Sequence, residues 1–413
     1  MSSSRKRVVI TGAAGISPLG NDWPTVLARL REGRNAVQRM EAWDIYEGLN
    51  TKLAAPAAEF ALPAHYTRKV TRSMGRVALM AVLSAEWALQ EAGLLGDPLL
   101  TSGNVGVSHG SSAGTHSAIG DFGRMLNHYT TAGITATTYI KMMSHTSPVN
   151  IGVHFGLTGR VITTSSACTS GSQGIGSAYE AILAGKQVAM LGGGSEQLDA
   201  TASAVFDTLF ATSVRNQEPH LTPRPFDAGR DGLVLGEGAC TLVLEELDHA
   251  RARGATILAE LVGYGSNSDG QHVTQPSTET MARAMCLALE DAGLPPEAIG
   301  YVNAHGTATD HGDIAETTAT ASVFGPRMPI SSLKSYMGHT LGACGALEAW
   351  VTIQMMRGDW FAPTINLDTL DPRCAPLDYI TGNGRTLDVE YVMSNNFAFG
   401  GINTSLIFKR WSE

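Results

Sequence analysis

The feature that most constrains the fold of this chain is an internal repeat. The segment A-L-Q-E-A-G-L at 88–94 returns as A-L-E-D-A-G-L at 288–294, in each case the end of a helical stretch closed by Gly. Each copy leads to a loop, a short apolar run and a His-Gly pair. Farther along, the segment 161–171 resembles 329–339, and each precedes a Gly- and Ala-rich helical stretch. Two matches in the same order predict a chain built from two duplicated halves.

Short apolar runs alternate with Ala-, Leu- and Met-rich helical stretches along the chain. Several runs are continuously apolar, which is typical of strands buried on both faces. The alternation predicts a layered α/β fold. We place the boundary near residue 252, which gives an N-terminal half at 1–252 and a C-terminal half at 253–413. The predicted strands lie at 7–11, 103–108, 160–164, 188–192, 239–244, 299–304 and 404–409, and the helices at 74–92, 171–184, 279–292 and 342–357.

Charge and cysteine content exclude several classes of protein. The 29 Lys and Arg residues against 38 Asp and Glu give a net charge of −9, which disfavours a general grip on nucleic acid or on an anionic membrane. The first apolar run is broken by Gly12 and Gly15, so we expect neither a signal peptide nor a membrane span. The five cysteines are odd in number and lack C-x-x-C spacing, which predicts free thiols in a reducing cytoplasm and no metal site.

Cys168 is the strongest candidate for a nucleophile. It lies in S-S-A-C-T-S-G, after a predicted strand and before a helix that begins with small residues. A thiol at a helix N-terminus meets free N–H groups that lower its pKa and can stabilise an oxyanion. The alternative is a small buried apolar residue, which describes most cysteines.

Two histidines and a lysine could complete a site with Cys168. His305 and His339 each follow a strand beside small residues, so both could reach one cleft, although a histidine can also be a satisfied core residue. Lys334 lies in a turn that we expect to be buried, and a buried ammonium needs a carboxylate. We predict Glu316 as that partner, with simple exposure of both side chains as the alternative.

Six segments, in the same order along nearly the whole chain, resemble those of the β-ketoacyl-acyl carrier protein synthases of the elongating type, and most of all synthase II. The segments that carry the resemblance are A-C-T-S-G at 167–171, R-P-F-D-A-G-R-D-G at 224–232, N-A-H-G-T at 303–307, S-S-x-K-S-x-x-G-H-x-x-G-A at 331–343, P-T-I-N-L at 363–367 and N-x-F-x-F-G-G-x-N at 395–403.

The resemblance implies a fold and a set of roles. The fold would be the thiolase-like α-β-α-β-α sandwich of two duplicated halves, commonly a dimer. Cys168 would accept the acyl group, and His305 and His339 would serve malonyl decarboxylation. Lys334 and Glu316 would support the site. The chemistry implied needs no metal and no organic cofactor.

Other members of the superfamily fit less well. Initiating synthases use Cys-His-Asn, whereas His339 gives Cys-His-His here. A thiolase would carry a second cysteine within 395–403, and chain-length factors lack the nucleophile that Cys168 supplies. Two alternatives stay open: a ketosynthase subunit paired with a chain-length factor, or a largely non-catalytic partner that sets chain length. The second histidine argues against a hydrolase that uses a single Cys-His pair.

The resemblance also places a gate and an acyl pocket. Phe399 and Gly400 would form the gating loop, and the Phe399 N–H would join that of Cys168 in an oxyanion hole. Ala398 and Ile402 depart from the residues common in that loop, which puts its mobility in question. Ala113 stands where fatty-acid elongators often carry a bulkier residue, so the pocket could accept polyene or polyketide chains.

An acidic carrier protein would be the partner. Two net-negative proteins repel, so docking needs a local cationic patch. The densest is T-R-K-V-T-R-S-M-G-R at 67–76, where Arg68 and Lys69 match docking positions of the resembling family, with Arg215 as a second site. The alternative is an ordinary solvated helix face.

Overall fold

The computed structural model describes residues 5–412. Within them lie sixteen strands and thirteen α-helices. The strands are β1 Val8–Ile16, β2 Gln38–Arg39, β3 Leu53–Ala55, β4 Val105–Gly110, β5 Val161–Thr164, β6 Ala189–Glu196, β7 Leu235–Gly236, β8 Gly238–Glu246, β9 Ala259–Ser268, β10 Ile299–Asn303, β11 Pro329–Ser331, β12 Trp360–Phe361, β13 Asp378–Tyr379, β14 Arg385–Thr386, β15 Tyr391–Ala398 and β16 Ile402–Arg410.

The helices surround and separate these strands. They are α1 Trp23–Glu32, α2 Arg68–Thr71, α3 Arg76–Glu91, α4 His116–His128, α5 Ala136–Met142, α6 Thr146–Phe155, α7 Ser170–Leu183, α8 Ala200–Asp207, α9 Leu247–Ala252, α10 Thr278–Ala292, α11 Asp310–Phe324, α12 Lys334–Met337 and α13 Cys344–Arg357. Within residues 5–412, the longest apolar helices fall short of what a membrane span requires.

The strand order repeats between the two halves of the chain, which confirms the duplication. From the centre outward, the first half runs β1-β8-β6-β4-β5 and the second β9-β16-β15-β10-β11, with β13 added at the edge. In both halves the first strand in the chain pairs antiparallel with the last, as β1 does with β8 and β9 does with β16. The outer strands of each half are parallel to one another. The halves join where β1 pairs with β9, Val8 opposite Leu261. The domain boundary near residue 252 stays a prediction.

The repeated helix ends have the same local structure. After α3, Gly93 has φ +68°, and after α10, Gly293 has φ +67°, a left-handed conformation that favours glycine. The next N–H returns to a carbonyl in the last turn in both copies, Leu94 to Leu89 at 2.9 Å and Leu294 to Leu289 at 3.0 Å. The repeated sequence therefore encodes the same helix stop twice.

Five layers result, α-β-α-β-α. Helices α7 and α13 pack against each other and between the two halves of the sheet, α3 covers the outer face of the first half, and α10 and α11 cover that of the second. The central pair is buried on nearly all sides, which explains its small residues. This layer matters for function because α7 and α13 both begin at the same point of the interior.

Candidate active site

Cys168 lies in a tight turn between a strand and a central helix. Strand β5 ends at Thr164, residues Ala167–Thr169 form a 3₁₀ turn, and α7 begins at Ser170. Ala167 adopts φ +50°, a strained conformation for a residue with a side chain. The turn places the Cys168 thiol, only 4% exposed, at the N-terminus of α7 as the sequence predicts.

The close approach of two helices explains the small residues beside the thiol. A Cβ on Gly171 would lie 2.9 Å from the carbonyl oxygen of Gly342 and 3.0 Å from the Ala346 nitrogen. Only glycine therefore lets the start of α7 reach the start of α13. This contact brings Cys168 to the segment that carries His339.

His339 contacts the nucleophile directly. Its Nε2 lies 3.0 Å from Cys168 Sγ. The backbone N–H of Leu341 donates to His339 Nδ1 at 3.2 Å, so the proton of the neutral ring is on Nε2. His339 therefore presents an N–H donor toward the sulfur.

His305 presents a second donor in the same way. Lys334 Nζ lies 3.1 Å from His305 Nδ1, and an ammonium can only donate, so Nε2 of the neutral ring carries its proton. The two imidazoles lie edge to face, with centroids 5.1 Å apart and an interplanar angle of 89°. Burial lowers the pKa of both rings well below the usual value, and the nearby Lys334 ammonium lowers both further. Both are neutral donors at neutral pH.

The prediction of a lowered thiol pKa is wrong for this state of the protein. Burial raises the pKa of Cys168 to about 11, against opposing effects from the Lys334 ammonium and the backbone N–H groups of Phe399 and Cys168. Desolvation outweighs the local donors because the thiol is enclosed. The thiol form therefore predominates at neutral pH, although the surrounding donors favour the thiolate.

The predicted pairing of Lys334 with Glu316 is also wrong. Lys334 Nζ bonds Glu348 Oε1 at 2.5 Å, and both side chains are 1% exposed. Asn396 Nδ2 donates to the other oxygen of Glu348 at 2.7 Å. Sequence spacing could not rank two carboxylates, yet a signal existed: Glu348 is the only charged residue in 344–356 of α13.

Glu316 instead fixes the backbone that carries His305. Its two oxygens accept hydrogen bonds from the backbone N–H groups of His305 and Gly306, each at 2.7 Å. Burial raises the pKa of this carboxyl to about 8, and the two N–H donors oppose the rise. Glu316 therefore positions the histidine loop, while Glu348 neutralises Lys334.

The predicted gating loop lies over the nucleophile. The Phe399 N–H faces the Cys168 sulfur and lowers its pKa, and the Phe399 ring packs on Phe206 with centroids 5.1 Å apart. Gly400 has φ +89°, so this turn between β15 and β16 needs a glycine there. Ala398 and Ile402 pair across the base of the turn.

A cavity of about 510 Å³ opens onto these groups. Cys168, His305, His339 and Phe399 all line it. Ala113 does not line this cavity. Its backbone N–H instead faces the buried carboxylate of Glu196, whose pKa burial raises to about 7. The assignment of Ala113 to an acyl pocket stays a prediction.

The predicted docking cations differ in exposure and in whether an acidic group neutralises them. Arg68 and Lys69 are exposed on α2. Arg215 is half-buried, lies 3.6 Å from Asp231 Oδ1 and donates to the Gly229 carbonyl at 3.0 Å. Its charge is therefore partly neutralised, which makes it the weaker candidate.

Among residues 5–412, two sets of side chains at the site have ligand atoms close enough for a metal ion. These are Cys168 with His305 and His339, and His305 with Cys344 and Glu348. Both contain His305, whose Nδ1 already faces the Lys334 ammonium. A metal cation there would meet that positive charge, so the donor set fits an anionic reaction intermediate better.

Known proteins resemble the chain across nearly its whole length. The model for the N-terminal domain of β-ketoacyl synthase matches residues 5–250, and that for the C-terminal domain matches 258–368. The 3-oxoacyl-[acyl-carrier-protein] synthase 1 of Haemophilus influenzae is 37% identical, over 98% of this chain and all of its own. A β-ketoacyl synthase crystal structure from Burkholderia phymatum is 63% identical, with a TM-score of 0.98 over 98% of this chain and all of that one.

A further solved structure is of the ishigamide ketosynthase/chain length factor. It is 32% identical, with a TM-score of 0.88 over 99% of this chain and all of that one. These matches, together with the Cys-His-His site, place the chain in the β-ketoacyl synthase family of condensing acyltransferases.

Proposed function

We propose that this protein is a 3-oxoacyl-[acyl carrier protein] synthase that elongates a carrier-bound acyl chain by decarboxylative condensation. One observation carries the proposal: two neutral imidazoles, each with its proton on Nε2, meet a buried thiol in one cavity. A hydrolase needs one base for one water, whereas a condensation needs donors for the oxygen of a second thioester.

Acyl transfer comes first. The Cys168 sulfur attacks the thioester carbonyl of an acyl carrier, the carrier thiolate leaves, and the thiol proton passes to it. The backbone N–H groups of Cys168 and Phe399 face the sulfur and would hold the oxyanion of the tetrahedral intermediate. The acyl group is then fixed while the second substrate enters.

Condensation follows on the same face of the cavity. The Nε2–H groups of His305 and His339 hold the thioester oxygen of malonyl-carrier, where negative charge collects as CO₂ departs. The resulting enolate carbon attacks the Cys168 thioester, and the Cys168 thiolate leaves and takes up a proton from solvent, which restores the thiol. The product is a 3-oxoacyl-carrier two carbons longer. No electrons are exchanged with an outside acceptor, so the reaction requires no redox cofactor.

An acidic acyl carrier protein is the partner that we propose, docked on Arg68 and Lys69. We place the reaction in the cytoplasm, since all five cysteines are free thiols. We also propose a dimer through the edge strand β5, where Val161 is 49% exposed and the neighbouring Val153 on α6 is 76% exposed. An unpaired edge strand with exposed apolar residues needs covering.

A heterodimer is the second candidate. The likeness to the ishigamide ketosynthase/chain length factor favours a ketosynthase subunit paired with a related chain, making polyene or polyketide rather than fatty-acid products.

Intact-protein mass spectrometry tests the proposal. Incubation with acyl-carrier should add one acyl mass to wild type and none to Cys168→Ala, and added malonyl-carrier should discharge it as a 3-oxoacyl-carrier. Release of free acid in place of that product would identify a hydrolase. Condensation that appears only after a chain-length-factor-like subunit is added would identify the heterodimer.

A further inference from the structure

A second cluster of imidazole and carboxylate groups lies outside the catalytic cavity. His65 precedes α2, Glu86 is on α3, and His154 is on α6. Glu86 Oε2 lies 2.9 Å from His65 Nε2 and 3.6 Å from His154 Nε2. All three ligand atoms lie within 4.8 Å of one another, and none of the three residues lines the cavity at Cys168.

Hydrogen bonding to Glu86 accounts for the positions of His65 and Tyr66 but not for that of His154. His65 Nε2 and the Tyr66 hydroxyl, which donates at 3.0 Å, both meet the same oxygen of Glu86. His154 Nε2 points at that oxygen too, but 3.6 Å is too long for a hydrogen bond.

From this geometry we infer a binding site for a divalent transition metal such as Zn²⁺ or Co²⁺ on His65, Glu86 and His154. Two imidazoles and one carboxylate are a ligand set that such metals prefer, with water in the remaining position. The His65 side chain is 56% exposed, which gives the metal and its water a way in.

Surrounding groups would fix the ligands. The Tyr66 hydroxyl donates to the ligating carboxylate, a contact that orients metal ligands. The Tyr66 ring lies 4.9 Å, centroid to centroid, from each of the two imidazoles and limits their rotation. Among the residues from 5 to 412, the ion-pair partners of Glu86 are both histidines, so no Lys or Arg competes with a cation for this carboxylate.

This charge balance separates the cluster from the sets at the catalytic site. There the buried Lys334 ammonium lies 3.1 Å from His305 and repels a cation. Here the cluster holds one carboxylate, that of Glu86, and no ammonium group. A bound metal would also join the segment before α2 to α3 and α6, close to Arg68 and Lys69.

Metal titration of the full chain tests the inference. The protein carries no histidine tag, is stripped with a chelator and bears Cys168→Ala, which removes the catalytic thiol as a competing ligand. Calorimetry with Zn²⁺ and visible absorption with Co²⁺ should both show one equivalent bound. His65→Gln and His154→Gln should each weaken binding by at least about tenfold, the cost of disturbing even outer contacts.

The control is His128→Gln, at the exposed end of α4, which should leave affinity unchanged. His65→Gln keeps a side chain that can donate to Glu86, so its thermal unfolding without metal should match the parent, whereas added Zn²⁺ should raise Tm only in the parent and the control. Absence of Zn²⁺ binding in the parent, or equal affinity in the parent and both ligand variants, would overturn the inference.

Discussion

Lys334 and Glu348 form an ion pair in the centre of the molecule, 2.5 Å apart and each 1% exposed. The pair joins α12 to α13, and Lys334 also holds His305 in its donor tautomer. Since an isolated buried charge is far more costly than a pair, the two residues depend on each other.

Removing either partner alone should therefore destabilise the fold strongly. We expect Lys334→Met or Glu348→Leu to cost roughly 3–5 kcal/mol, and the double variant to cost less than the sum. Denaturant unfolding of the four proteins measures the coupling. Additive losses would contradict a direct pair. A matched cycle of Lys334 with Glu316, whose carboxylate bonds backbone instead, should show the weaker coupling.

The two histidines should matter for decarboxylation and not for acylation. His305→Ala and His339→Ala should still accept acyl groups on Cys168, while loss of one oxyanion donor lowers condensation roughly 10²–10³-fold. Single-turnover acylation and malonyl-dependent CO₂ release separate the two steps. Near-wild-type condensation by either variant would remove that histidine from the mechanism.

Reaction of the thiol should increase with pH throughout the range in which the protein is folded. The pKa of Cys168 is raised to about 11, so the thiolate fraction grows about tenfold per pH unit below that value. Iodoacetamide alkylation of Cys168, followed by mass spectrometry between pH 6 and 9, measures this slope. Burial and the Lys334 ammonium lower the pKa of both histidines well below the usual value, so protonation of these rings should add no step to this slope. A plateau near pH 7 would mean that the free enzyme already holds a thiolate.

Charge on α2 should govern encounter with the carrier. Reversal of Arg68 and Lys69 to Glu should raise KM for carrier-bound substrate, and the difference from wild type should shrink with added salt because both side chains are exposed. Turnover of a small soluble thioester should change little. Lys186→Glu, beyond the C-terminal end of α7 and so at the opposite end from Cys168, is the control. An equal loss of turnover with the carrier-bound and the small substrate would mean that Arg68 and Lys69 stabilise the fold and do not bind the carrier.

Much of the fold and the centre of the site could be read from the sequence. The repeat at 88–94 and 288–294 predicted two equivalent halves. The glycine that ends the helix adopts the same left-handed conformation in both copies, so the local sequence determines the same helix end twice. The turn around Cys168 was predictable because an apolar run is followed by small residues that begin a helix. The structure adds that these small residues let the start of α7 reach the start of α13.

Only the tertiary structure decided which buried charged side chains pair with each other. Glu316 and Glu348 are both in helices near Lys334, and spacing favoured the wrong one because it cannot show which side chain crosses from one layer to another. The pKa of Cys168 also depends on distant segments. The local turn supplies donors that lower this pKa, but burial by distant segments raises it by more. Sequence thus determined the local geometry, whereas desolvation and long-range pairing depend on which segments meet in the folded core.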